Sequence, residues 1–112
     1  MQKIDTDAIR LHDILNAIAD IEGFGVVDFS DRKALFACAY AIAIIGEAAN
    51  QLSEGLRRSH PQVPWAQIIG MRHRIIHAYG NVNVDRLREV VATHLPVLKS
   101  QVQVIAAKYP YH

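Results

Sequence analysis

The strongest constraint on the fold is an apolar segment near the middle of the chain. Residues 34–45 carry no charged side chain, and their only polar groups are the thiol of Cys38 and the hydroxyl of Tyr40. Ser30 is placed to cap a helix here, and no proline follows until Pro61. Because a helix that is apolar on every face is buried on every face, we expect its own domain or a second subunit to cover this segment.

Three further segments have the three- and four-residue spacing of apolar side chains that is typical of amphipathic helices. The first spans about residues 4–23, the next begins at Pro64 and runs to about Tyr79, and the last spans about residues 84–108. Pro96 is expected to kink the last segment. No segment has the alternation of a strand, so the sequence predicts an all-α protein, an antiparallel bundle of four or five helices.

Length and composition narrow the class further. The chain has 112 residues, near the usual size of one domain, and 51% of them are hydrophobic, so we expect a single folded domain, 1–112. The only cysteine, Cys38, excludes a disulfide framework within one chain, and burial should raise its pKa and leave it inert. We find no apolar leader and no run of the roughly 20 apolar residues that a membrane span needs, so we expect a cytoplasmic protein without membrane contact.

Charge is distributed unevenly along the chain. Residues 1–31 contain seven acidic and two basic side chains, whereas residues 57–88 contain six arginines and one aspartate. Those arginines are Arg57, Arg58, Arg72, Arg74, Arg86 and Arg88. The planar guanidinium matches the geometry of phosphate, so this stretch favours an anionic ligand, although solvated helix faces account for such a cluster equally well.

One of these arginines, Arg72, is predicted to lie in the middle of an apolar helix face. At about 100° per residue, the helix that begins at Pro64 places Ile68 and Ile75 on the same side as Arg72. A buried guanidinium stays charged and must be matched by a carboxylate or by an anionic ligand. Glu47, in the apolar second helix, is the natural partner within the chain, so a structural Arg72–Glu47 tether is one interpretation.

His77 follows Arg72 by five residues, which is about 140° around a regular helix, so the two side chains would point in different directions. Either the helix loosens near Gly80, or two subunits bring the pair together. Histidine exchanges a proton near neutral pH and arginine stabilises charge on a phosphoryl group, so the pair suits cleavage of a phosphodiester. In RNA a general base can activate the 2′-hydroxyl against the adjacent phosphate, which requires no metal. A lone histidine near a helix end is otherwise a capping or surface residue.

Two histidines four residues apart, His73 and His77, also have a spacing found in metal sites. In zinc peptidases with the H-E-x-x-H pattern a glutamate follows the first histidine, and here Arg74 stands in that place. The cationic side chains of Arg72 and Arg74 would also repel a divalent ion. The sequence contains neither a phosphate-binding glycine loop nor a serine nucleophile motif, so we expect no metal site and no cofactor.

Arg72, His77 and Tyr79 form an R-x4-H-x-Y pattern, and with it the chain resembles the HEPN-domain proteins, in particular the HepT-like toxins. The resemblance extends over nearly the whole chain, through residues 45–49, 64–65, 68–72 and 95–98. It implies an all-α bundle that forms a homodimer, with the arginine and histidine of both subunits lining a shared cleft.

The same resemblance implies a metal-independent ribonuclease toxin that uses Arg72 and His77, with tRNA among its candidate substrates. It also implies a cognate antitoxin, a minimal nucleotidyltransferase that transfers AMP to Tyr79. The added charge and bulk would switch off the cleft. Considered without the resemblance, Tyr79 fits a core tyrosine equally well.

Three neighbouring residues are candidates for supporting roles. His73 departs from the family pattern, since relatives commonly carry asparagine or another small polar residue there. It would serve as a polar cleft residue or assist proton transfer. Arg74 and Glu47 complete the set of candidate supporting residues.

Two other functions stay open on the sequence alone. One is a non-catalytic helical module that binds nucleotide or RNA through its basic segment and a protein through its apolar helix. In that case His77→Ala would leave binding nearly unchanged. The other is a scaffold subunit held together by the Arg72–Glu47 pair, for which Arg72→Ala would unfold or dissociate the protein.

Overall fold

The computed structural model describes residues 5–77 and 81–110, and these residues form an all-α bundle, as predicted. The helices are α1 (Thr6–Gly23), α2 (Arg32–Gln51), α3 (Glu54–Ser59), α4 (Trp65–Ile75), α5 (Val84–Glu89) and α6 (Leu95–Ala106). A π-helical turn, Val90–His94, joins α5 to α6 without a break. If that continuous run counts as one helix, the described part of the chain has five, which confirms the predicted bundle.

The first two helices form an antiparallel pair. Asp7, near the start of α1, accepts hydrogen bonds from the backbone N–H of Ser53 at 2.8 Å and from its hydroxyl at 2.6 Å, just beyond the end of α2. Arg10 of α1 likewise donates to Gln51 of α2 at 3.3 Å. Because the start of one helix meets the end of the other, the two run in opposite directions.

α2 is the central helix and packs against both α1 and α4. It begins after Asp31, whose side chain accepts from the N–H of Lys33, so the predicted cap at Ser30 is wrong by one residue. It ends where Leu52 turns to extended backbone and Ser53 caps α3. By length and hydropathy α2 could cross a membrane, but half of its most apolar stretch is buried inside the bundle, as expected of a central helix.

One face of α2 is open in the single chain. Ile42 and Ile45 are fully buried, whereas Phe36 and Tyr40 are 42% and 70% exposed. The guanidinium of Arg32 lies 4.8 Å above the ring of Phe36. The expectation that its own domain buries α2 on all sides is therefore wrong, because the neighbouring helices cover only part of its circumference. Coverage by a second subunit stays a prediction.

A π-helical turn lies just before Pro96, the residue at which the sequence predicts a kink. There Leu95 donates its backbone N–H to the carbonyl oxygen of Val90, five residues earlier. Pro96 has no N–H, and its ring conflicts with the carbonyl four residues earlier in a regular helix, so the wider turn relieves the conflict. Lys99 then reaches Glu22 at 3.0 Å, which ties the start of α6 to the end of α1.

Candidate functional site

α4 carries the basic motif and packs closely on α2. Its buried side chains are Trp65, Ile68, Met71 and Ile75. Gly46 of α2 permits the close approach, since a Cβ atom there would lie 3.1 Å from the carbonyl oxygen of Ile68 and 3.4 Å from that of Ile69. This contact lies in the first half of α4 and sets how closely that helix, which carries Arg72 in its last turn, packs on α2.

α4 ends sooner than its sequence pattern predicts. Its last residue is Ile75, and Ile76 has extended backbone (φ −105°, ψ 116°) and forms an antiparallel bridge with Val82. The prediction of a helix reaching to about Tyr79 is therefore wrong at residues 76 and 77, because the β-branched side chain of Ile76 and its pairing with Val82 favour extended backbone there. Tyr79 itself lies outside the described residues.

His77 is held outside the helix by main-chain hydrogen bonds. Its backbone N–H donates to the carbonyl oxygen of Asn81 at 2.7 Å, and Asn83 donates to Ile75 at 2.7 Å on the other side of the bridge. The side chain of His77 is exposed. The helix thus gives way to extended backbone at Ile76, before the expected point near Gly80, and the helical angle between Arg72 and His77 no longer applies.

Arg72 is exposed, which corrects the prediction of a guanidinium buried in an apolar face. The buried stripe of α4 passes through Met71 and Ile75, and Arg72 lies beside it, where a long side chain reaches solvent. Glu47 is exposed as well, and no ion pair within the described ranges joins it to Arg72. The interpretation of the pair as a structural tether is therefore wrong.

Arg72 and Glu47 nevertheless line one shallow groove of about 350 Å³, called the Arg72 groove below. Its other lining residues are Phe36, Ala39, Tyr40, Ala43, Ile76 and Val82. The groove places a cation, a carboxylate and two aromatic rings on the open side of α2. Sequence reasoning missed Phe36 and Tyr40 because it assigned them to the core. Phe36, Tyr40, Ala43 and Glu47 follow one another at steps of four, three and four residues, which was the signal of a shared helix face.

The other candidate residues do not join Arg72 in this groove. His73 and His77 are exposed and lie outside its lining. Arg74 lines a separate groove on the other flank of α4, towards α5 and α6. A single chain therefore brings together Arg72 and Glu47, while in the described part no side-chain hydrogen bond connects His77 to either.

The arginines of the basic stretch differ in their electrostatic partners. Arg58, Arg86 and Arg88 lie 3.0, 3.9 and 3.4 Å from carboxylate oxygens. Arg72 and Arg74 have no such partner among the residues that the structure describes. Both stand in the last turn of α4, where cations complement the negative end of the helix dipole. Within the described residues, no ion pair neutralises the positive charge at the end of α4, although Glu47 lines the same groove as Arg72.

Two further groups bear on the chemistry. Cys38 is fully buried, and its desolvation raises the pKa of the thiol, as predicted. In residues 5–77 and 81–110, no three histidine, cysteine or carboxylate side chains cluster closely enough to hold a metal ion.

Known proteins resemble this chain over most of its length. The model of the HepT-like family, described as "Ribonuclease HepT-like", matches residues 12–105. "Probable ribonuclease HepT" of Thermococcus cleftensis is 40% identical over 96 residues, which cover 81% of this chain and 87% of that protein. "Putative RNase MJ1380" of Methanocaldococcus jannaschii is 30% identical over 110 residues, covering 94% of this chain and 100% of that protein. No solved structure matches significantly. The resemblance inferred from the R-x4-H-x-Y pattern is confirmed: the chain belongs to the HepT-like ribonuclease family.

Proposed function

We propose that this protein is the toxin of a toxin–antitoxin pair and that it cleaves RNA internally, without a metal ion, in the cytoplasm. The observation that carries the proposal is the family match over residues 12–105, which includes Arg72 and His77 of the R-x4-H pattern. The exposed guanidinium of Arg72, which has no carboxylate partner in the described part of the chain, supports it, because such a charge is available to a phosphate.

The residue types account for each part of the reaction. His77 accepts the proton of a ribose 2′-hydroxyl, and the oxygen attacks the adjacent phosphorus. Arg72 stabilises the negative charge that develops on the phosphoryl oxygens. The bond from phosphorus to the 5′-oxygen of the next nucleotide breaks, and that oxygen takes a proton from the second histidine of a dimer. The products are a 2′,3′-cyclic phosphate and a 5′-hydroxyl.

The catalytic cleft of the proposal forms between two copies of the chain. Phe36 and Tyr40 are large exposed rings on the open face of α2, in the same groove as Arg72. Contact between two such faces around a two-fold axis would bury the rings and bring together the ends of both α4 helices. The Arg72 and His77 side chains of both subunits would then line one cleft, although the two residues do not share a groove within the single chain.

The proposed regulator is a minimal nucleotidyltransferase antitoxin that transfers AMP to Tyr79. Tyr79 stands two residues after His77, so an adenylyl group there would add negative charge and bulk beside the catalytic histidine. Expression of the toxin alone should arrest growth, and co-expression of the partner should restore it. Rescue without adenylylation of Tyr79, measured by mass spectrometry, would contradict this mode of control.

The catalytic proposal is tested by incubating RNA in EDTA with wild type, Arg72→Ala and His77→Ala. A His12→Ala variant on α1 serves as a matched control, and circular dichroism checks that each variant folds. Wild type and the control should yield 2′,3′-cyclic phosphate ends, whereas loss of the general base at His77 should slow cleavage by about 10²-fold or more.

Two results would contradict the proposal. One is full cleavage by His77→Ala. The other is intact RNA after incubation with wild type whose mass shows an unmodified Tyr79. If RNA stays intact and His77→Ala binds it as tightly as wild type, the chain is a binding module instead.

The dimer is tested separately by light scattering. Tyr40→Glu places a charge in the proposed interface and should give a monomer without ribonuclease activity. Val104→Glu replaces an apolar side chain that is 64% exposed on α6 and should remain dimeric and active. A wild-type monomer that cleaves RNA would contradict the shared cleft.

A further inference from the structure

A second and larger groove lies on the opposite flank of α4 from Arg72. It has a volume of about 500 Å³ and runs between α4 and the continuous α5–α6 helix. Its floor is apolar and includes Met71, Ile75 and Val90, which are buried core side chains. This volume lies within the range of small-molecule sites, which combine apolar walls with a few polar groups. We call it the Arg74 groove.

The rim of the Arg74 groove carries cationic side chains. Arg74 has no carboxylate partner in the described part of the chain, and Arg86 reaches Glu89 only at 3.9 Å. The same Glu89 lies 3.4 Å from the imidazole of His94, so one carboxylate faces both groups. Two guanidinium groups and one carboxylate therefore leave the rim with net positive charge, which favours an anionic ligand.

The π-helical turn forms part of the wall of this groove. Val90, Thr93 and His94 belong to the turn and all line the groove. π-Helical turns inside α-helices are frequent at functional sites. The widened turn thus places a hydroxyl and an imidazole beside the apolar floor, where they can meet the polar edge of a bound ring.

We propose that the Arg74 groove binds one nucleoside monophosphate unit, with its base on the apolar floor and its phosphate between Arg74 and Arg86. The unit is either a free nucleotide or one nucleotide of an RNA strand. In the second case the inference rests on the proposed ribonuclease function. Arg72 and Arg74 occupy the same last turn of α4, so a strand that passes over the end of this helix meets both grooves.

The test measures binding apart from cleavage. ¹⁵N-labelled full-length protein is titrated with AMP and with a fully 2′-O-methylated oligoribonucleotide, which lacks the 2′-hydroxyl that cleavage needs. Amide signals of residues lining the Arg74 groove should shift with at least one probe. Arg74→Gln and Arg86→Gln should each weaken that binding about tenfold, as expected for loss of a charge-assisted hydrogen bond.

Arg88→Gln is the matched control, because Arg88 lies on the same helix as Arg86 but contacts Asp85 and the ring of Phe29 outside the groove. Its affinity should equal that of wild type. In RNA cleavage, Arg74→Gln should raise KM and leave kcat nearly unchanged, whereas His77→Ala lowers kcat. Binding at the groove by a protein that fails to cleave RNA, although its mass shows an unmodified Tyr79, would refute the ribonuclease and support the nucleotide site.

Each outcome has a defined meaning. Shifts with AMP alone identify a site for free nucleotide, and shifts with the oligonucleotide alone identify an RNA subsite, so both support the proposal. No shift in the groove with either probe overturns it, as does equal weakening by Arg74→Gln and Arg88→Gln. If these amide signals shift only when a partner protein is added, the groove is a protein-docking site, and that result also overturns the proposal.

Discussion

The contact between Gly46 and α4 leads to a prediction about the stability of the site. Gly46→Ala adds a Cβ atom 3.1 Å from the carbonyl oxygen of Ile68 and 3.4 Å from that of Ile69. Ordinary contacts of this kind begin at 3.4 Å, and both oxygens belong to the backbone of α4 rather than to a side chain that can turn away. The two helices must therefore separate by a few tenths of an ångström.

The size of the effect follows from two opposing terms. Exchange of glycine for alanine inside a helix stabilises the folded state by up to about 1 kcal/mol. Insertion of a methyl group into a packed interface costs about 1–3 kcal/mol. Gly70→Ala in α4 isolates the first term, because in the described part of the chain no atom outside its own stretch of helix lies within 4 Å of a Cβ built at Gly70. We expect Gly70→Ala to raise the free energy of unfolding above that of wild type. The free energy of unfolding of Gly46→Ala should be about 1–3 kcal/mol lower than that of Gly70→Ala.

The assay is urea denaturation of both variants and wild type at one protein concentration, since dimerisation would make stability depend on concentration. Because α4 carries Arg72, we also expect Gly46→Ala to lower ribonuclease activity more than Gly70→Ala does. If Gly46→Ala stabilises the protein as much as Gly70→Ala does, the close approach of α2 and α4 does not limit packing and the reasoning is refuted.

Three further predictions concern residues outside the cleft. Cys38 is buried and the pKa of its thiol is raised, so a thiol reagent at mildly alkaline pH should modify it only after unfolding; rapid reaction of the native protein would contradict its burial. Asp7→Ala removes two hydrogen bonds from Ser53, the cap of α3, and should lower the free energy of unfolding by about 1–2 kcal/mol. Urea denaturation measures this change, and an unchanged denaturation midpoint would contradict a stabilising contact between α1 and Ser53. The hydrogen bonds that Ser30 donates, first from its side chain and then from its backbone, lower the pKa of Asp28 below its ordinary value of 3.8. The ionised carboxylate therefore stabilises this turn above pH 3.8, and the stabilisation is lost as pH falls through the lowered pKa. The amide signal of Ser30 should accordingly titrate below pH 3.8.

The helical class could be predicted from the sequence because it depends on local periodicity. The first helix, predicted over about residues 4–23, is observed as Thr6–Gly23. A π-helical turn precedes Pro96, and the kink predicted at that residue stays a prediction. The end of α4 could not be predicted in this way. It depends on pairing of Ile76 with Val82, a contact with a later segment of the chain. The local spacing of apolar side chains, which continues to Tyr79, contains no information about such a contact.

The candidate site was predictable as a set of residues and less so as an arrangement. Arg72 and His77 follow from the motif, but periodicity alone assigned Arg72 to the buried face, since it cannot tell which flank of an amphipathic helix meets a neighbour. For the same reason Phe36 and Tyr40 were assigned to the core, although α1 and α4 leave their side of α2 open. The separation of Arg72 and Arg74 into two grooves required the positions of α2 and α6.

The proposed ribonuclease mechanism depends on the 2′-hydroxyl of RNA as the nucleophile, and a partly methylated substrate shows whether this group is required. The substrate is a 2′-O-methylated oligonucleotide with a short unmodified ribonucleotide stretch inside a sequence that wild-type protein cleaves in unmodified RNA, incubated with wild-type protein in EDTA. We expect cleavage only within the unmodified stretch, with a 2′,3′-cyclic phosphate on the upstream product, and no cleavage by His77→Ala. Cleavage of the fully methylated control, or products that end in a 3′-hydroxyl, would contradict this mechanism.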